Sequence, residues 1–218
     1  MELQFQEKGE QEIINVDMKD YYFLIQDRYN YFLGYENVGV IKKLNPVIEK
    51  IQKVVKNKEV LELACGPGFW SKHVNTTAKS LLCTDINNHK LGNINFEQVD
   101  NYNLPKFNKK FDICFAVDWF CHLDKRVIKT HLKSIYCRLK KNGQIVFCDQ
   151  MEGMQLNGLY FGNDNKDDFG NNISFRFINN KKFNIIKNFY TDDEYKEFFG
   201  KKIEILKFIE SNRILIIS

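Results

Sequence analysis

From Val60 to Trp70 the chain reads VLELACGPGFW, an apolar strand that runs into a glycine-containing turn and then into a helix. Glycines at 66 and 68 let the backbone turn sharply and approach a ligand closely, and the following helix presents N–H groups with no partner inside it. A loop of this kind binds a nucleotide-like cofactor. Short apolar runs alternate with amphipathic stretches further along, the pattern of βαβ units and a mostly parallel sheet. The predicted strands are Glu59 to Leu63, Ser80 to Thr84, Ile94 to Val99, Phe111 to Val117 and Gln144 to Asp149.

Before this core, apolar and aromatic residues recur at helical spacing from Asp17 to about Lys56, with Tyr22, Ile25, Tyr29 and Phe32 on one face. Asn45 followed by Pro46 predicts the start of a second helix there, proline being suited to a first helical position. Val127, Ile128, Leu132, Ile135 and Leu139 predict a helix from Arg126 to Leu139, stopped by Asn142-Gly143. Past Gln150 the composition shifts to Gly, Asn and Asp, and residues 151–190 read as a substrate-side insertion. Within it, Ile173 to Phe177 and Phe183 to Ile186 predict a hairpin turned at Asn179-Asn180. Thr191-Asp192-Asp193-Glu194 has the form of a capping box for a helix through Phe199. Two strands, Lys202 to Glu210 and Arg213 to Ile217, are joined so tightly that they pair antiparallel.

A length of 218 residues with 44% apolar content supports one domain, residues 1–218, with 1–56 as N-terminal helices forming a lid. Against 28 acidic residues stand 32 basic ones, a balance that gives no nucleic-acid-binding footprint. No apolar run is long enough to span a bilayer, and Met1 to Asp17 lacks the pattern of a secretory leader. The six cysteines form no CxxC pair and mostly sit in apolar runs, which predicts free thiols and a cytoplasmic setting. The oligomeric state is not legible.

Asp85, at the end of the second strand, is placed to accept hydrogen bonds from ribose hydroxyls, and Asp100-Asn101 ends the third strand on the same edge. Open α/β sheets bind ligands at that edge, around the topological switch point. A dinucleotide reading requires a third glycine at position 71. That residue is Ser71, and a glutamate at 62 would go unexplained.

With these residues on hand, the chain resembles the class I S-adenosylmethionine-dependent methyltransferases over roughly Tyr21 to Ser218. The resemblance is most specific in ELACGPGFW at 62–70, in Asp85 and Asp100, in FDICFAVDWFCHL at 111–123 and in GQIVFCD at 143–149. It is similar to small bacterial enzymes in which a segment of the type R…DG…F.I.K.FY follows the fifth strand; here Arg176 to Tyr190 holds that place, with Asn179-Asn180 at the turn. The resemblance implies an α/β, doubly wound, Rossmann-like sheet of seven mostly parallel strands, with a C-terminal antiparallel pair and an added hairpin. S-adenosylmethionine is the implied cofactor, and no metal is required. Glu62 would hold the methionine amino group, the backbone at Ala64, Gly66 and Gly68 would pass beneath the cofactor, and Asp85 would bind the ribose diol. Asp100, Asn101 and Tyr102 would receive the adenine, Val117 and Asp118 would border the methionyl moiety, and Tyr22, Trp70 and Ile86 complete the set.

Methyl transfer is an in-line displacement, so the protein aligns the nucleophile and, where needed, removes a proton. His122 is the candidate base; its competing reading is a loop cap that helps close the cofactor site. A metal site built from Asp118, Cys121 and His122 lacks a fourth ligand and a recognised spacing. Tyr29 reads as core more readily than as lid. Trp119 is a candidate for the substrate pocket. Arg176 and Lys187 either bind an anionic substrate or belong to a solvated hairpin face. The expected acceptor is an oxygen or nitrogen of a small metabolite, anionic ones among the candidates. The Asn/Asp-Pro-Pro-aromatic motif of DNA and many RNA amino-methyltransferases is missing, since Asp118-Trp119-Phe120-Cys121 stands in its place. Methylation of RNA or protein, or a non-catalytic cofactor-binding module, are the alternatives.

Overall fold

A computed structural model describes residues 18–152, 155–156, 159–160, 166–200 and 202–218. Met1 to Asp17 of the expected lid, and 153–154, 157–158 and 161–165 of the expected insertion, lie outside the described residues. In chain order the elements are α1 (18–25), α2 (Tyr29–Phe32), α3 (Val38–Val55), β1 (Glu59–Leu63), α4 (Phe69–Asn75), β2 (Ser80–Asp85) and β3 (Asn95–Gln98). There follow β4 (Phe111–Val117), α5 (Ile128–Tyr136), β5 (Leu139–Gln150), the short β6 (Gln155–Leu156) and β7 (Leu159–Tyr160), β8 (Ile173–Ile178), β9 (Lys181–Ile186), α6 (Asp192–Phe199), β10 (Glu204–Phe208) and β11 (Arg213–Ile217).

Seven strands form one sheet in the order β10-β11-β5-β4-β1-β2-β3. Every neighbouring pair is parallel except those made by β11, which runs antiparallel to both β5 and β10. The chain leaves β1 toward β2 and β3, then returns to the other side of β1 as β4. That reversal opens a crevice beyond the carboxyl ends of β1 and β4.

Alternation along the strands assigns residues to two cores. Leu61, Leu63, Cys114, Ala116, Ile145 and Phe147 face Ile128, Leu132 and Ile135 of α5 and Tyr195 of α6. Val60, Ile113, Phe115, Val146 and Cys148 face Leu44, Val47, Ile48, Ile51 and Val55 of α3 and Trp70 and Val74 of α4. Burial on both faces is why these strands read as continuous apolar runs rather than alternating ones. A third, smaller cluster joins Met18 of α1 to Phe183, Ile185 and Ile186 of β9, with Tyr21 and Tyr22 packed against it.

The hairpin turns at Asn179-Asn180 as expected, both residues having positive φ (50° and 64°), the requirement of a two-residue turn matched to strand twist. The capping box at Thr191 and Glu194 also forms. Three boundaries differ from expectation. The helix predicted from Pro46 begins at Val38, capped by the Asn37 side chain, which accepts from the N–H groups of Gly39 (2.8 Å) and Val40 (3.3 Å). Pro46 lies inside it on the exposed side, where water can serve the Lys42 carbonyl left without a helical donor. Asn142-Gly143 does not end a helix. α5 stops at Tyr136, Leu139 already pairs with Phe111, and Asn142-Gly143 sits where the β4–β5 register shifts. Lys140 anchors that early start by bonding Glu59 (2.6 Å) and Asp112 (3.0 Å), and a Cβ at Gly143 would lie 2.9 Å from Leu139 Cβ. Finally, β10 ends at Phe208, and a 3-10 turn, Ile209–Ser211, makes the reversal with Asn212 at φ 50°.

Of the N-terminal helices, α3 thus belongs to the core layer, while α1 and α2 lie toward the crevice. Truncating Ile51→Ala should cost about 2–5 kcal/mol in urea unfolding, as for a buried isoleucine in a packed core. A loss below about 1 kcal/mol, the size of an exposed-site change, would mean that α3 is a detachable cover.

Candidate active site

The crevice is a single cavity lined from β1 by Glu62, from the glycine turn by Ala64, Cys65, Gly66 and Pro67, and from β2 and its loop by Asp85, Ile86, Asn87 and His89. Asp100, Asn101 and Tyr102 follow β3, Val117, Asp118, Trp119 and His122 follow β4, and α4 adds Trp70. Met18, Lys19, Tyr22, Gln26, Tyr29 and Tyr35 close it from the N-terminal segment. Every expected cofactor residue is therefore on the wall except Gly68. Gly68 caps α4 in a left-handed conformation (φ 84°), and a Cβ there would meet Leu91 Cδ2 at 2.7 Å. Gly66 is different: its φ is 52°, but a Cβ would find nothing within 4 Å and would project into open space.

At the carboxyl end of β2, Asp85 accepts the Gly66 N–H at one oxygen (2.9 Å) and the Asn87 N–H at the other (2.8 Å), with His89 Nε2 3.5 Å away. Asp100 accepts from the Tyr102 N–H (2.9 Å) and from Asn103 Nδ2 (2.8 Å), shaping the turn after β3. The Thr84 hydroxyl lies 2.8 Å from Asn101 Oδ1, which holds that buried amide.

Glu62 is 2% exposed and accepts a thiol hydrogen bond from Cys83 (3.2 Å). Burial pushes its carboxyl up to about 7, eased by Ser71 and Cys83 and reinforced by Asp85. Asp118 is handled oppositely. It is just as buried, yet Arg213 forms an ion pair with it and, with Lys187, holds it below the usual carboxylate range against the desolvation. Arg213 Nη2 also donates to the Tyr35 hydroxyl (2.9 Å), which accepts from Trp70 Nε1 (3.1 Å).

His122 lies in a 3-10 turn, Phe120–His122, after β4. Nδ1 is bonded to the carbonyl of Ile186, which can only accept, so Nδ1 carries the proton and Nε2 the lone pair. The Tyr22 hydroxyl, 2.9 Å from Nε2, is therefore the donor to it. Burial first, then the positive charge of Lys187, lowers the imidazole to about 3, with the Ile186 bond and Asp118 opposing. The ring is neutral in this site. Trp119 packs on His131 (4.9 Å) and Phe147 (5.9 Å), with part of its surface on the cavity.

Lys187 does not line the cavity, nor is it solvated: it is 5% exposed and donates to Cys121 Sγ at 3.1 Å. Burial opposes its charge, but Cys121, Asp118 and Asp149 outweigh this and raise its pKa. Arg176 is likewise off the cavity wall; it bonds Tyr21 and acts through its charge on Tyr22 and His122. Tyr29, read as core, lines the cavity. Tyr35 and Arg213 were not anticipated. Their signals were an aromatic next to Gly34 and a lone arginine opening the apolar run Ile214 to Ile217. Among the described residues no three His, Cys, Asp or Glu side chains group where a metal ion could sit, and no helix is long and apolar enough to cross a membrane.

An uncompensated buried carboxylate beside a glycine turn with open space above it, and a second acid at the end of β2, suit a ligand with an ammonium group and a diol. S-adenosylmethionine has both, so the residues present fit it.

The profile of the family described as "Methyltransferase domain" matches residues 36–201. With the seven-stranded fold, this defines the chain as a class I S-adenosylmethionine-dependent methyltransferase, and it belongs to that methyltransferase-domain family. No curated protein matches the sequence. Among solved structures it is similar to DhpI in a complex with SAH, at 17% identity and TM-score 0.75, covering 94% of this chain and 96% of that one. DhpI in a complex with SAM and HEP gives 17% identity and TM-score 0.74, over 94% and 97%. An S-adenosylmethionine-dependent methyltransferase from Clostridium acetobutylicum ATCC 824 gives 17% identity and TM-score 0.56, over 92% and 98%. At such identities the likeness shows the fold.

Two outcomes follow for cofactor binding. If Glu62 meets the cofactor's ammonium group it does so ionised, so cofactor affinity should fall about tenfold per pH unit below about 7 as the empty site takes up a proton, with the slope lost in Glu62→Gln. Calorimetry in buffers of different ionisation enthalpy would detect the released proton. In Gly66→Ala, the new methyl occupies open space on a residue that lines the cavity; binding should drop at least about tenfold while the left-handed backbone strain costs about 1–2 kcal/mol in unfolding.

Proposed function

We propose that the enzyme transfers the methyl group of S-adenosylmethionine to an oxygen or nitrogen of a small metabolite. The cofactor supplies an electrophilic methyl group on a sulfonium sulfur. Glu62 and Asp85 hold its two polar ends, and the turn at Ala64 to Gly66 passes beneath it. Asp100, Asn101 and Tyr102 offer the adenine a polar turn, while Val117 and Asp118 border the reacting centre. Beyond them, Tyr22, Tyr29, Trp119 and His122 form the wall against which an acceptor would be aligned.

The observation that carries the small-acceptor reading is the roof. α1 contributes Met18, Lys19 and Tyr22 to the cavity and is fastened by Met18, Tyr21 and Tyr22 to the β8–β9 hairpin. A pocket roofed by a helix accepts a compact group more readily than a folded polymer. An anionic acceptor is favoured by Arg176, which stands next to Tyr21 with its field on Tyr22 and His122. Lys187 contributes charge from behind Cys121 rather than contact. The six cysteines are all free thiols, five of them buried, which suits a cytoplasmic enzyme.

Formation of S-adenosylhomocysteine should be followed with the purified protein, S-adenosylmethionine and separate panels of metabolites, RNA, DNA and proteins. Turnover is expected with one or more small acceptors. Efficient methylation of a macromolecule and of no metabolite would overturn the acceptor class. Cofactor binding without any product in the presence of a whole metabolite extract would overturn the catalytic role.

A further inference from the structure

An imidazole that is neutral has one lone pair. In His122 that lone pair, on Nε2, already receives the Tyr22 hydroxyl at 2.9 Å, while Nδ1–H is spent on the Ile186 carbonyl. His122 therefore has no free acceptor to turn toward a substrate while this arrangement holds. The Tyr22 oxygen does: no described residue donates a hydrogen bond to it, and the side chain lies on the cavity wall.

We propose that Tyr22 is the catalytic residue that takes the acceptor's proton, passing its own phenolic proton to Nε2 of His122 in the same step. The proposal rests on the reading that an O–H or N–H group is methylated here. In that step the acceptor's lone pair forms the bond to the methyl carbon, and the carbon–sulfur bond breaks with its electron pair left on sulfur. The acceptor's O–H or N–H bond breaks toward the Tyr22 oxygen, and the Tyr22 O–H bond breaks toward Nε2. The tyrosine ends neutral and His122 ends as an imidazolium, so the positive charge lost at sulfur reappears on the ring and the site's total charge is unchanged.

Three elements assemble this pair. Tyr22 comes from α1, where its ring meets Tyr29 (6.1 Å) and His122 (5.6 Å) edge to face. His122 comes from the turn after β4, and its orientation is set by β9 through Ile186. Asp118 stands on the same turn and favours the charged ring, whereas Lys187 and Arg176 oppose it. A burial cost that makes His122 a poor free base is tolerable in a relay, because the ring is charged only as the methyl group transfers and can pass its proton back through Tyr22 afterward.

The first test needs no acceptor. In protein labelled with nitrogen-15 at histidine and saturated with S-adenosylhomocysteine, His122 should carry its proton on Nδ1, with Nε2 shifted as a hydrogen-bonded lone pair. Tyr22→Phe should move only the Nε2 resonance. A proton found on Nε2 would overturn the relay, whatever the acceptor is. The second test uses any acceptor that turns over, small or macromolecular, so failure of the small-acceptor reading leaves the relay testable. Tyr22→Phe should lower kcat about 10²-fold with KM for S-adenosylmethionine within about twofold, as expected for loss of general-base catalysis. His122→Gln should fall as far, and the double variant no further, since the two act as a unit. A curved proton inventory in mixed heavy water for the wild type should become linear in Tyr22→Phe. Wild-type kcat in Tyr22→Phe, additive losses, or no solvent isotope effect in the wild type would each overturn it.

Discussion

The carboxylate of Asp118 and the guanidinium of Arg213 meet where four parts of the chain converge, and the cavity's shape depends on that contact. Asp118 ends β4 in a left-handed conformation (φ 52°) that turns the chain outward beside the cofactor cradle. Arg213 opens β11, so the one antiparallel strand of the sheet is what delivers the compensating charge. Tyr35 extends the contact: its hydroxyl lies 3.4 Å from Asp118 Oδ2, and its ring stacks on Phe69 of α4 at 4.0 Å. Losing one partner of a buried pair of this kind leaves an uncompensated charge and costs about 3–5 kcal/mol.

Arg213 compensates Asp118, whereas no cation is among the groups that act on Glu62. The two acids are both deeply buried and stand on adjacent strands, yet their ionisation is driven in opposite directions. One is held ionised by an arginine and a lysine, and the other is pushed toward its neutral form by burial and by Asp85. A site with both carboxylates compensated would have little reason to attract an ammonium group, and one with neither would resist folding.

The strands and the cradle were readable because both are local. A strand buried on two faces shows as an apolar run, and a turn that needs positive φ shows as glycine, so β1, β2, β4 and the loop at 64–68 stood out in the amino-acid order alone. Asp85 and Asp100 followed from their places at strand ends. What escaped was long-range. Arg213 reaches Asp118 across 95 positions and Tyr35 across 83, and no periodicity encodes such a meeting. Pro46 misled because a helix already nucleated at Asn37 tolerates proline where the freed carbonyl faces water. Asn142-Gly143 misled because the same left-handed chemistry that ends helices also makes a bulge in a strand. Lys187 looked like a solvated hairpin residue because period alone does not reveal that Cys121 and Asp149 wait opposite it.

α1 touches both ends of the cavity. Its Lys19 carbonyl accepts from Asn87 Nδ2 (3.5 Å) beside Asp85, and its Tyr22 reaches His122 in the turn after β4. If the proposed methyl transfer takes place here, one helix covers both the spent cofactor and the product. Replacing the cofactor while an acceptor stays seated would require opening the very cover that retains the acceptor. An amine with room for more than one methyl group would be handled distributively on such an enzyme, leaving and returning between rounds, and its partly methylated forms would accumulate free in solution.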